Sequence, residues 1–296
     1  MVIATGFFDG VHLGHRFILR QLVAEARRRN DESMVVTFWP HPRNVLQDDA
    51  RNLRLLTSME EKKALIRNIG VDHIEVIPFT KEFCRLSAEE YLRDYIVGKF
   101  GGKAILIGYD NRIGSDQCTP EQTSEIARRL GLDVIRPERF VSDAGIVISS
   151  TKIRSSLQTG DIEEADSMLG YQYQLYGVVV SGNRLGHTIG FPTANMQLYE
   201  PLKLIPGNGV YLVKVETLGG VYDGMCNIGV RPTLGSGNAL TVETNIFDFN
   251  EDIYGLDIRI SFVRKIRNEV KFNDFAVLAS QLEKDRAHCR MLLQEK

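Results

Sequence analysis

Two histidines three residues apart, His12 and His15, stand in the string Gly6-Phe7-Phe8-Asp9-Gly10-Val11-His12-Leu13-Gly14-His15. A short apolar run precedes it and an amphipathic stretch through Arg29 follows it, so both imidazoles fall where a helix begins. Imidazole N–H groups there can donate to phosphate oxygens, and glycines let a nucleotide approach the backbone, where the first helical N–H groups also point. Plainer roles fit the same residues: His12 and His15 can cap or pack against the loop, or act with Asp9 as metal ligands. A second string, Ser149-Ser150-Thr151-Lys152-Ile153-Arg154, reads by itself as an ordinary helix N-cap with a basic solvated face. Glycines 182, 186 and 190 lack the Gly-Lys-Ser/Thr of a Walker A loop, and on composition alone they form a flexible hairpin loop. That loop ends in Phe191-Pro192-Thr193-Ala194-Asn195. Glu243 lies in a strand-like run, where a lone glutamate is ordinarily solvated.

The elements that must position these groups divide into two kinds. In the first half, Val2 to Ala4, Met34 to Phe38, His73 to Ile77, Lys103 to Ile107 and Asp133 to Arg136 read as strands alternating with helices. Capping boxes mark three helix starts, Ser58 with Glu61, Ser87 with Glu90 and Thr119 with Gln122, the last with Pro120 at the first helical position. Strand–helix alternation predicts a parallel, doubly wound, Rossmann-like sheet, with ligands at the carboxyl ends of its strands. A short helix carrying Ile162, Ala165 and Leu169 on one face closes at Gly170. From there the pattern changes. Tyr173 to Val180, Gly209 to Glu216, Val221 to Ile228, Thr241 to Phe247 and Leu256 to Arg264 are strand-like and separated by Gly and Pro turns, which predicts an antiparallel β-barrel. A terminal helix, Asp274 to Leu293 with Leu278, Leu282 and Leu292 inward, packs on it. The domains expected are 1–170 and 171–296.

A chain of 296 residues is long for one core, in keeping with two domains. Thirty-six basic and 38 acidic residues give a net charge of -2, so no diffuse field favours nucleic acid or an anionic membrane. Cys84, Cys118, Cys226 and Cys289 lack C-x-x-C spacing and read as reduced thiols of a cytoplasmic protein. No stretch reaches the roughly 18 apolar residues of a membrane span. Oligomeric state leaves no mark on the sequence.

Gly-x-Phe-Asp-Gly-x-His-x-Gly-His resembles the H-x-G-H signature of nucleotidyltransferases, in the form shared by the bifunctional bacterial riboflavin kinase/FAD synthetases. Thr37-Phe38-Trp39-Pro40-His41-Pro42 and Ile148-Ser149-Ser150-Thr151-Lys152-Ile153-Arg154 resemble two further segments of that family, although Phe38 and Trp39 alone read as core aromatics. In the second half, Gly-Phe-Pro-Thr-Ala-Asn resembles the riboflavin kinase signature, and Val242-Glu243-Thr244-Asn245-Ile246-Phe247-Asp248-Phe249 its V-E-x-x-I-F-D-F strand. The resemblance implies an N-terminal FMN adenylyltransferase domain and a C-terminal riboflavin kinase barrel, with ATP as co-substrate, Mg²⁺ as cofactor, and riboflavin, FMN and FAD as substrates and products. It implies that His12, His15 and Arg154 stabilise the adenylyl-transfer transition state, while Gly6, Phe7, Asp9, Gly14, Ser149, Ser150, Thr151 and Lys152 hold ATP. Phe38, Pro40, His41 and Asp110 then lie near the flavin. In the barrel it implies Glu243 as base, Thr193 and Asn195 on Mg²⁺, and Gly182, Gly186 and Gly190 over the nucleotide. Arg231 and Arg267 are loop or scaffold residues near the site, with Arg267 toward the flavin.

The run Gly108-Tyr109-Asp110-Asn111-Arg112-Ile113-Gly114 departs from the family pattern: Asn111 and Ile113 replace aromatics, and Ser115-Asp116-Gln117 replaces a basic run. It motivates a second reading, a riboflavin kinase with an impaired first domain. A third, a flavin-binding protein without turnover, conflicts with phosphate ligands and a base both being intact.

Overall fold

The computed structural model describes residues 1–41, 53–109, 111–138, 140, 148–182, 190–232, 238–272 and 274–294. Asp110, Gly186 and Pro42 lie outside the described residues. The chain forms two compact units, Met1–Ser150 and Thr151–Lys296.

The first unit is a five-stranded parallel sheet in the order β3-β2-β1-β4-β5. Its strands are β1 (Val2–Thr5), β2 (Ser33–Trp39), β3 (His73–Pro78), β4 (Ala104–Leu106) and β5 (Asp133–Ile135). β1 is buried along its whole length, as a central strand covered on both faces must be. Its residues alternate between two cores: Ile3 joins Val36, Leu92 and Ile105 on one face, while Val2 and Ala4 join Leu19, Leu22 and Ile66 on the other. The helices between strands are α1 (Leu13–Arg28), α2 (Met59–Arg67), α3 (Ala88–Tyr91, running on as a π-helical segment, Leu92–Lys99) and α4 (Pro120–Arg129). Each expected capping box is formed with both reciprocal hydrogen bonds at the starts of α2, α3 and α4. The order reverses between β1 and β4, and this switch point opens a crevice beyond the strand ends, where the β1–α1 loop lies.

The second unit begins at Thr151, in the first turn of α5 (Ser150–Thr159), and continues with α6 (Ile162–Leu169), which ends at Gly170 in the left-handed region (φ 75°). The compact units divide ahead of the change in sequence pattern at Tyr171, because these helices pair with the barrel. Gly207 N–H donates to the Leu157 carbonyl at 2.9 Å, Tyr173 N–H to Asp166 at 2.8 Å, and Lys265 Nζ to the Thr159 carbonyl at 3.1 Å. Six strands close into an antiparallel barrel, β6 (Gln174–Val180), β7 (Ala194–Leu198), β8 (Gly209–Thr217), β9 (Gly220–Pro232), β10 (Asn238–Ile246) and β11 (Asp257–Arg267), in the order β10-β7-β6-β11-β8-β9. Strand β7 was expected as loop; only Met196 of its five residues is buried, so it carries little apolar signal. The terminal helix α7 (Phe275–Gln294) buries Asp285 and Cys289 most deeply, with Leu282 and Leu292 packed on the barrel surface and Leu278 half-buried.

Candidate functional site

The loop after β1 is tightly coiled. Phe8 (φ 51°), Gly10 (φ 79°) and Val11 (φ 38°) all lie in the left-handed region, which is costly for a β-branched residue such as Val11 and persists only where surrounding contacts enforce it. Asp9 supplies the enforcement. Its buried carboxylate accepts the N–H groups of Leu56 (3.0 and 3.1 Å) and Thr57 (3.2 Å) and the Thr57 hydroxyl (3.3 Å), and Gly10 N–H donates to Thr57 Oγ1 (3.2 Å). Within the first unit, the Ser150 hydroxyl donates to the Asp9 carbonyl at 3.1 Å. Thus Asp9, expected at the ATP phosphates, has its side chain turned onto the segment before α2.

The fixed loop delivers His12 to the N-cap of α1, where Nδ1 accepts the N–H of His15 at 3.3 Å. Accepting at Nδ1 leaves the proton of a neutral ring on Nε2. The two imidazoles stack with centroids 3.6 Å apart and planes 17° apart, and Phe8 meets His15 edge-on at 5.3 Å. Burial, and then the neighbouring His12 and Lys62, hold the His15 proton affinity well below the usual histidine range. His15 is therefore a neutral hydrogen-bonding group at neutral pH. The metal-ligand alternative does not hold: Asp9 faces away, and among the described residues no group of three His, Cys, Asp or Glu side chains is placed to bind a metal.

The histidines open on a cavity of about 840 Å³, which Gly6, Phe7, Gly14, Phe38, Ser149 and Ser150 also line. A Cβ at Gly6 would lie 3.0 Å from the Phe8 ring, so this glycine admits the coil. His41, after β2, sets its ring edge-on to Phe7 at 3.9 Å, following the cis Trp39–Pro40 peptide. The opposite wall is aromatic: Phe38, Phe79, Phe83 and Tyr91 contact one another at centroid distances of 5.5 to 6.3 Å, and the Tyr91 hydroxyl is hydrogen-bonded to Thr5 at 2.8 Å. Phe79, Phe83 and Tyr91 were not singled out from sequence. The available signal was Pro78-Phe79-Thr80-Lys81-Glu82-Phe83, two aromatics just past a strand's carboxyl end. The divergent loop also reaches the cavity through Tyr109, Asn111 and Arg112, while Ile113 is buried in the core and bridges to Cys118. Gly114 (φ 80°) is obligatory there, since a Cβ would lie 2.2 Å from the Ala88 nitrogen. Thr151, Lys152 and Arg154 continue along α5 in the second unit, where Lys152 pairs with Glu164 at 3.5 Å.

In the barrel, Asn195 of β7, Glu243 of β10 and Asn227 of β9 are register partners, forming one row across three strands. Directly opposed residues of antiparallel strands share a face with Cβ atoms about 5 Å apart. The Thr241 hydroxyl donates to Glu243 Oε1 at 3.3 Å. Phe191, 3% exposed, anchors the Phe-Pro-Thr-Ala-Asn segment in a cluster with Val210, Met225 and Phe247, and Asn245 Nδ2 donates to the Pro192 carbonyl at 2.7 Å. The left-handed Gly190 (φ 80°) turns the chain into that segment. Gly182 makes room for the Asn195 amide, whose nitrogen would lie 2.4 Å from a Cβ. Glu269 extends over Gly229 and accepts from Asn208 Nδ2 at 3.1 Å. Arg267, expected toward the flavin, directs its Nε and terminal nitrogen to the buried Asp285 at 2.7 to 3.0 Å, clamping α7 to β11.

Known proteins match both units. An FAD synthetase family profile matches residues 1–152, and a riboflavin kinase profile residues 169–293. The chain is 37% identical to the bifunctional riboflavin kinase/FMN adenylyltransferase of Bacillus subtilis, over 96% of this chain and 90% of the relative. It is 36% identical to the protein of the same name from Listeria monocytogenes, over 98% and 91%. A solved structure from Streptococcus pneumoniae, described as a macrolide-efflux protein, superposes with a TM-score of 0.88 at 33% identity, covering 98% of this chain and 93% of its own. No helix among the described residues is long and apolar enough to cross a membrane. The chain belongs to the family of bifunctional riboflavin kinase/FMN adenylyltransferases.

Proposed function

We propose that this enzyme converts riboflavin to FMN at the barrel and FMN to FAD at the α/β unit, each step consuming ATP, with residues 1–170 and 171–296 carrying the two activities. The observation that supports this most is that each half matches its own family over nearly its full length and carries its own constellation of polar groups.

In the kinase step, Glu243 takes the proton of the riboflavin 5′-hydroxyl as that oxygen attacks the γ-phosphorus of ATP and ADP leaves. The Thr193 hydroxyl and Asn195 amide oxygen fit Mg²⁺: both are hard donors, and Gly182 leaves the space in which the Asn195 amide sits. Bound there, the ion would neutralise phosphate charge. Gly182, Gly186 and Gly190 border the nucleotide. In the adenylyl step, an FMN phosphate oxygen attacks the α-phosphorus and pyrophosphate departs. His12 and His15 donate to phosphate oxygens, His15 as a neutral ring, and Ser149 to Lys152 with Arg154 attend the pyrophosphate. The aromatic wall around Phe38, with Pro40 and His41, receives the flavin ring, and Asp110 is assigned to the same ligand by the family resemblance. Both steps are placed in the cytoplasm and need neither nucleic acid nor membrane.

The test is to incubate the protein with riboflavin, ATP and Mg²⁺ and to separate FMN and FAD by chromatography. FAD appearing through transient FMN is expected. Glu243→Gln should block the first step by roughly a hundredfold or more while FMN supplied directly is still adenylylated. FMN alone would remove the adenylyl assignment, and neither product would overturn both.

A further inference from the structure

Lys62, in the second turn of α2, is 1% exposed. A lysine is rarely taken wholly out of water without a partner or a task. Its Nζ lies 3.6 Å from the centre of the Phe7 ring, whose side chain lines the cavity that the histidines face. Burial pushes its proton affinity down to about 8 while Asp9 opposes the change, so it remains mainly an ammonium at neutral pH. A cation is therefore fixed behind the histidine loop, on the helix whose preceding segment also anchors Asp9. The charged and titratable groups around His15 are His12 stacked on it, Lys62 from α2, Asp9 in the loop, and Arg16 one residue on, whose Nε donates to the Val11 carbonyl. Ser149 and Ser150, lining the cavity from the start of α5, are uncharged.

We propose that Lys62 is a positioning residue for adenylyl transfer, fixing the Phe7 face of the cavity from behind and holding a buried positive charge beside the His12–His15 pair. This rests on His12 and His15 being the phosphate ligands. Protonating His12 at Nδ1 would set a new N–H against the His15 N–H that this atom accepts, opening the cap of α1. The fixed cation disfavours a charge on His15 and adds positive potential toward the phosphates without touching them.

The experiment uses the full chain with Lys62→Met, or Lys62→Gln should the first fail to fold, and Lys62→Arg, which keeps the charge. Three quantities are read: the His15 ring titration by NMR, the pH profile of FMN adenylylation, and riboflavin phosphorylation as the control for intact protein. Removing the charge is expected to raise the His15 titration by about half a unit and carry the acid limb of adenylylation with it. kcat should fall roughly tenfold to a hundredfold with little change in the KM for ATP. Lys62→Arg should return the titration toward its native position. An unmoved titration and acid limb would overturn the proposal even if kcat fell, because a residue that only fills space alters stability and rate but not the charge state of His15. Loss of activity is assigned separately with His12→Ala and His15→Ala: if these adenylylate normally, the ligand assignment fails, whatever the titration shows.

Discussion

Asp9→Ala distinguishes an anchor from a substrate ligand. The substitution leaves the N–H groups of Leu56 and Thr57 buried without their acceptor, at about 1–3 kcal/mol each. It also removes the carboxylate whose charge favours the buried ammonium of Lys62. Because these costs overlap, roughly 5 kcal/mol is expected, a large share of the ~5–15 kcal/mol typical of a domain. The assay is intrinsic fluorescence: Trp39 is the chain's single tryptophan and lies in β2, so urea unfolding followed by its emission reports on the first unit alone. At a slope of about 2 kcal/mol per molar urea, the midpoint should fall by roughly 2.5 M. Asp9→Asn, which keeps one acceptor oxygen, should fall by less. Riboflavin phosphorylation should be retained in both. If Asp9→Ala unfolds at the native midpoint while adenylylation is lost, the carboxylate acts on substrate and the anchoring account is wrong.

Gly182→Ala places a methyl 2.4 Å from the Asn195 amide nitrogen and should lower riboflavin kinase kcat at least tenfold while leaving adenylylation unchanged; equal effects on both activities would contradict this. Burial lifts Asp166 from 3.8 to about 7, so the folded second unit keeps a proton that the unfolded chain releases. The resulting stability is full below about pH 4 and is lost as pH rises through 7. Asp166→Asn, which still accepts from Tyr173 N–H, should flatten that decline in thermal unfolding scans between pH 4 and 8; an unchanged slope would refute the assignment. Burial pushes the Cys226 and Cys289 thiols up to about 12, whereas Cys84 lines the first cavity. Alkylation at pH 8 followed by peptide mass spectrometry should mark Cys84 in the folded protein and Cys226 and Cys289 only after unfolding.

What the sequence disclosed depended on how local the cause was. The parallel strands were legible because a strand covered on both faces is apolar throughout, and the capping boxes because both of their partners lie within four residues. Strand β7 was not, because a strand that presents Asn195 on its outer face and buries only Met196 has a polar composition. Lys62 and Lys63 are adjacent and identical in type, yet Lys63 pairs with Glu60 near the surface while Lys62 lies beneath Phe7. Nothing in Met-Glu-Glu-Lys-Lys separates them; the distinction arises from where α2 rests on the histidine loop. The anchoring contacts of Asp9 were hidden for the same reason, its partners lying 47 and 48 residues away.

His12 shows why a plain structural role and a chemical one need not compete. From sequence, capping α1 and donating to phosphate stood as alternatives for one side chain. In the structure Nδ1 accepts from His15 N–H, and in a neutral ring that places the proton on Nε2, so the cap does not take the nitrogen that the proposed phosphate contact needs. The cap also fixes the ring plane on which His15 stacks at 3.6 Å, so the helix start aligns both imidazoles at once. Losing the cap would thus disturb tautomer, orientation and stacking together. A spacing of three residues suits this arrangement, because an N-cap side chain reaches the N–H of the second or third helical residue, and here the third carries the other ring, coupling the two imidazoles through the backbone.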